Sequence, residues 1–66
     1  MDTARISAKL RRLRGERTLQ DVANEIGITE SALSQYETGK RIPRDEIKMA
    51  LAAHYRVSVD WLFFET

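Results

Sequence analysis

Leu19-Gln20-Asp21-Val22-Ala23-Asn24-Glu25-Ile26-Gly27-Ile28-Thr29-Glu30-Ser31-Ala32-Leu33-Ser34-Gln35-Tyr36-Glu37 is the stretch that decides how this chain folds. Leu19, Val22, Ala23 and Ile26 recur at i, i+3, i+4 and i+7, the spacing of one apolar helix stripe. Thr18 stands in front as an N-cap, with Asp21 placed for a weak capping box. Gly27 stops this helix, and Thr29 offers a second N-cap almost at once. A further helix then runs through Leu33 and Tyr36 towards Gly39. Two helices of about two turns each, joined by so short a link, are expected to cross steeply rather than lie side by side. Ala23 is small where they come closest, and Gly27 supplies the backbone freedom of the turn. Val22, Ile26, Ile28 and Leu33 form the wedge that sets the angle. Glu30, Ser31, Ser34 and Gln35 are then left outside, short and polar, a face suited to reading base edges.

Working outward, Ile6, Leu10 and Leu13 give a first helix its apolar stripe, with Lys9, Arg11 and Arg14 on the polar side and Gly15 at the end. Lys40-Arg41-Ile42-Pro43 reads as a surface loop, since Pro43 biases Ile42 away from helix. Asp45 and Glu46 suit the positive end of a fourth helix. That helix is expected to bury Ile47, Ala50, Leu51 and either His54 or Tyr55. Ser58 caps a short fifth helix holding Val59, Trp61 and Leu62. No segment alternates with a period of two. The expectation is an all-α fold, a single domain over residues 1–66, built as a compact bundle of five short helices with a central helix-turn-helix.

A chain of 66 residues without cysteine has neither disulfides nor thiolate metal sites to support a small core. A single histidine, His54, argues against a metal site of any kind, and no cofactor motif is present. With no apolar run for a signal peptide or a membrane span, a cytoplasmic protein without membrane contact is expected. The net charge of +1 conceals a strong pattern. Residues 1–20 hold six basic groups against two acidic ones, residues 21–38 hold four acidic groups and no basic one, and Lys40, Arg41 and Arg44 follow. A polyanion responds to a local basic rim rather than to the sum, although a mixed, solvated surface would look the same.

Four stretches in order resemble the phage-repressor (Cro/Xre) type of helix-turn-helix: Leu10-Arg11-Arg12-Leu13-Arg14, the Val22-Ala23…Ile26-Gly27 turn, Tyr36-Glu37-Thr38-Gly39-Lys40-Arg41-Ile42-Pro43, and Val57-Ser58-Val59-Asp60-Trp61-Leu62. The resemblance spans residues 6–62. It implies the lambda-repressor-like fold and a dimeric transcriptional regulator of the kind found in phages, mobile elements and bacterial switches. It implies base contacts from Glu30, Ser31 and Gln35, with Ala32 and Ser34 beside them. Gln35 would pair with adenine N6 and N7, and Glu30 would accept from cytosine N4. Thr18, Thr29, Thr38 and the backbone at Gly39 match phosphate-contacting positions, with Lys40, Arg41 and Arg44 in or beside the loop that tracks the sugar-phosphate backbone. Arg12 and Glu37 match a partly buried ion pair joining the first and third helices. The chain departs from the family at Leu19, where many members carry a phosphate-contacting Gln. Gln20 is the polar neighbour and the substitute candidate, although it lies about 100° further round the helix.

His54 has no nucleophile beside it, and Asp45 and Glu46 point to different helix faces, so no catalytic group emerges and an enzyme is not expected. The run Trp61 to Phe64 is apolar at the end of a small domain. Phe63 and Phe64 are consecutive and cannot both face inward from one helix, so Trp61, Phe63 and Phe64 are expected at a two-fold dimer surface. The function expected is a sequence-specific, double-stranded-DNA-binding repressor acting as a homodimer on a palindromic operator, without a small-molecule ligand. The rival is a protein-interaction module on the same fold, of antitoxin or adaptor type.

Overall fold

The computed structural model describes residues 2–65. Among them are four α-helices and a closing π-helical turn: α1 (Thr3–Arg14), α2 (Leu19–Ile26), α3 (Glu30–Glu37), α4 (Asp45–Tyr55) and the turn Asp60–Phe64. The described residues contain no strand. Each of the five segments sends one fully buried aliphatic side chain to a common centre: Leu10, Val22, Leu33, Leu51 and Leu62, all at 0% exposure. Ile6, Ala23, Tyr36, Ala52 and Phe63 complete this core. α1 packs on α3 and on the closing turn, and α2 packs on α3 and α4. α3 therefore lies against α1 and α2, and its remaining side is open.

Local chemistry begins and ends these helices. The Asp21 N–H donates to Thr18 Oγ1 and the Ala32 N–H to Thr29 Oγ1, both at 3.0 Å, so both threonines cap as expected. Gly27 takes φ +88°, and the N–H groups of Gly27 and Ile28 both donate to the Ala23 carbonyl, at 2.9 and 3.0 Å. A Cβ placed on Gly27 would meet nothing within 4 Å, so the demand there is torsional and not spatial. α3 closes the same way around Gly39: the Lys40 N–H donates to the Gln35 carbonyl at 3.0 Å. α4 repeats the closure without a glycine. Arg56 adopts φ 58°, while the Val57 N–H donates to the Ala52 carbonyl at 3.0 Å.

Three expectations need correction. α4 buries Leu51, Ala52 and the stem of Lys48, whereas Ile47, Ala50, His54 and Tyr55 are only half-buried. Lys48 keeps its ammonium 3.8 Å from Asp45 Oδ1 and 5.0 Å from the centre of the Phe64 ring, so it covers apolar surface while its charge stays partnered. The closing segment is wound as a π-helix, with the Glu65 N–H donating to the Asp60 carbonyl at 2.8 Å, although Ser58 caps it as expected through the Trp61 N–H at 3.0 Å. Within it the consecutive Leu62 and Phe63 both reach the core. Phe63, at 2% exposure, is thus a core residue and not part of any dimer surface; Phe64 is the exposed member of the pair.

The third correction concerns the ion pair. Glu37 is buried, and its carboxylate accepts from Arg14 Nε at 2.9 and 3.1 Å, not from Arg12. Arg11 donates to the Glu37 carbonyl oxygen. Arg14 follows Leu10 by four residues and so lies at the edge of the buried stripe, whereas Arg12, two residues on, points to solvent. The hydrogen bond to Glu37 raises the Arg14 pKa above its ordinary value, against the opposing effect of burial. Removing Arg14 leaves a buried carboxylate without its partner. Arg14→Ala is expected to cost about 3 kcal/mol in urea unfolding, and Arg12→Ala less than about 0.5 kcal/mol. The two left-handed positions give opposite expectations. Gly27→Ala lowers stability by about 1 kcal/mol, and Arg56→Gly raises it by up to about 1 kcal/mol. In a domain this small, thermal unfolding would show each as a shift of about 4–8 °C per kcal/mol.

Candidate nucleic-acid interface

α3 is divided cleanly by its periodicity. Leu33, Tyr36 and Glu37 are buried, while Glu30 and Ser31 are exposed and Ser34 and Gln35 half-exposed. These last four stand at i, i+1, i+4 and i+5 and share one face of the helix. They line a single open surface depression together with Leu19, Thr38 and Lys40. The four expected base readers and two of the expected backbone contacts, Thr38 and Lys40, are therefore brought together. Glu30 sits in the first turn of α3, where the helix dipole favours its charge. Lys40 follows the left-handed Gly39, which turns the chain at the other end of the helix.

The remaining expected phosphate contacts, Thr18, Gln20, Thr29, Gly39, Arg41 and Arg44, do not line this depression. Thr18 and Thr29 use an oxygen lone pair for capping, and no described hydrogen bond uses their hydroxyl protons. Each can donate to an anionic oxygen without giving up its cap. Thr38 differs, because its hydroxyl donates back to the Ser34 and Gln35 carbonyls at 3.0 and 3.3 Å and must rotate to reach a ligand. The Gly39 N–H donates to the Tyr36 carbonyl at 3.4 Å, a long bond that competes weakly for it. Gln20 is exposed and does not line the depression. Arg41 lies 5.8 Å from the centre of the Tyr36 ring. Arg44 pairs with Glu46 at 3.2 Å, but both side chains are largely exposed, so the pair is easily exchanged for a phosphate.

Sequence reasoning missed Leu19 as a lining residue. It is half-buried, packed against the core, and its open side borders the same depression as Ser34 and Gln35. Its place in the apolar stripe of α2 pointed inward; the signal for an outward role was its position at the first turn, beside the polar face of α3. On α2, Glu25 pairs with Arg17, and its other carboxylate oxygen lies 3.7 Å from His54 Nε2 on α4. The expected dimer residues are divided. Trp61 borders a groove on α1 with Arg5, Lys9 and Arg12, where Lys9 Nζ donates to the Trp61 carbonyl at 2.6 Å and lies 4.5 Å from its ring centre. Phe64 borders a separate hollow with Lys48, Met49 and Val59.

Among the described residues no cluster of three metal-ligating side chains occurs, and no helix is long and apolar enough to cross a membrane. No curated protein and no solved structure matches the chain. A protein-family model described as helix-turn-helix matches residues 9–62, which takes in the joint at Gly27, all of α3 and most of the closing turn. With the capped helix pair and the exposed polar face of α3 in place, the chain belongs to the Cro/Xre-type helix-turn-helix family of DNA-binding regulators.

Proposed function

We propose that the protein is a sequence-specific repressor that docks α3 in the major groove of a palindromic operator and binds as a two-fold dimer. The observation that carries this reading is the shared depression: four short polar side chains of α3 face one open side, with Lys40 on its border. Gln35 offers both an acceptor and a donor to an adenine edge, and Glu30 accepts from a cytosine amino group. Ser31 and Ser34 are short enough to let the helix approach. Thr18, Thr29, Lys40, Arg41 and Arg44 hold the phosphates on either side, with Gln20, Thr38 and Gly39 in reserve. Phosphate contacts set register and most of the affinity, and base contacts set sequence.

Dimerisation supplies what one short helix lacks. A single α3 presents few contacts, and Glu30 brings a negative charge towards the duplex. Two copies about 34 Å apart would meet successive major-groove faces. Phe64, 53% exposed, and Met49, 63% exposed, border one hollow and offer the apolar surface for such pairing, with Trp61 on the neighbouring side. Repression then follows by occlusion, wherever the operator overlaps a promoter.

Selection of bound sequences from a random duplex pool is expected to return a palindrome with half-sites one helical turn apart. Recovery of no duplex at low salt would favour the protein-interaction reading instead. On the selected site, Gln35→Ala is expected to relax preference at one position of each half-site, at about 1–3 kcal/mol. Lys40→Ala is expected to weaken specific and random duplexes alike and to lower the salt slope by about 1. Equal effects of the two substitutions on both kinds of DNA would contradict this division of roles.

A further inference from the structure

The depression beside α3 is lined by polar and charged groups with one exception, Leu19. We propose that Leu19 is a base-reading residue, recognising the C5 methyl group of a thymine at the border of each half-site. The proposal rests on the reading of this face as a DNA interface and goes beyond it by assigning a specificity contact to a side chain on α2.

The argument begins from what an isobutyl group can recognise. It has no donor or acceptor, so it cannot hold a phosphate. The major-groove edges of the bases present donors, acceptors and one apolar group, the thymine methyl. Leu19 is held for such a contact. It is the first residue of α2, directly after the Thr18 cap, and one edge of its side chain packs against the core. An anchored side chain loses little rotamer freedom on binding. Its open edge borders the surface that Gln35 and Ser34 also border, so a base edge reached by Gln35 lies next to an apolar wall. A polar side chain at this place would be satisfied by water or phosphate and indifferent to the methyl. Leucine makes the methyl's burial favourable. Cytosine methylated at C5 presents the same group in the same groove, so a methylated cytosine is expected to substitute for that thymine.

Replacing deoxythymidine by deoxyuridine, one position at a time, in the selected operator tests this, because the swap removes only the methyl and leaves the protein unchanged. Burial of about one methyl predicts a roughly threefold to fivefold weakening at one thymine in each half-site. Leu19→Ala is expected to bind thymine and uracil operators equally, and Leu19→Met to keep a preference for the methyl. Circular dichroism of both variants at the binding temperature shows whether α2 is intact. If Leu19→Ala does not fold, Leu19→Gln decides: it keeps the size of the side chain but removes its apolar end, and is expected to bind thymine and uracil operators equally. A wild-type protein that binds its operator but is indifferent to every thymine methyl overturns the proposal. So does a sensitive thymine that Leu19→Ala discriminates as strongly as wild type does. Failure of the wild-type chain to bind any duplex removes the interface reading itself, and this proposal with it.

Discussion

The Ala23 carbonyl oxygen, accepting from both Gly27 and Ile28, is the interaction on which the rest of this structure depends. It uses the left-handed torsion of Gly27 to end α2 within a single residue and to start the chain towards α3. Each of these helices is only eight residues long. Neither would be stable in isolation, because nucleation outweighs the few hydrogen bonds so short a helix can form. Their order comes from the joint, from Ala23 buried within it, and from Val22 and Leu33 meeting in the core. The exposed face of α3 is therefore only as rigid as that joint.

A second polar device secures the other end of α3. Glu37 is buried, and Arg14 and Arg11 hold it through its carboxylate and its carbonyl respectively. A buried ion pair of this kind adds little net stability compared with a hydrophobic replacement, but breaking one side of it is costly. What it supplies is a fixed position of α3 against α1. The N-capping threonines complete the frame, since their oxygens start the helices while their protons remain available outside. The same short residues thus start the helices and keep a hydroxyl donor at the surface, which suits a domain with little surface to spare.

The closing π-turn shows the same economy. It gives two consecutive residues to the core and leaves Trp61 and Phe64 bordering separate hollows. A lysine lies over each exposed ring, Lys9 at Trp61 and Lys48 at Phe64. The apolar end of the chain is accordingly two small amphipathic patches rather than one continuous sticky surface.

The helical segments, the Thr18, Thr29 and Ser58 caps, the joint and the outward face of α3 were legible in the residues, whereas the Asp2 cap of α1 and the left-handed closure at Arg56 were not read. Each depends on interactions within about four positions of chain, and periodicity and capping chemistry report such interactions directly. The same holds for Gly27, where the torsion is a property of one residue. What tertiary structure alone decided was partnership across the fold. Arg11, Arg12 and Arg14 are equivalent as local chemistry, and only the packing of α1 on α3 selects Arg14 for the Glu37 carboxylate. Phe63 and Phe64 are identical side chains, and only the packing of the closing turn on the rest of the fold sends one inward. Leu19 belongs to the core by its spacing, yet the nearness of α3 gives it an open edge on the depression beside the polar face of α3. Such choices rest on ångström-scale distances between segments far apart in the chain, and no local pattern carries them.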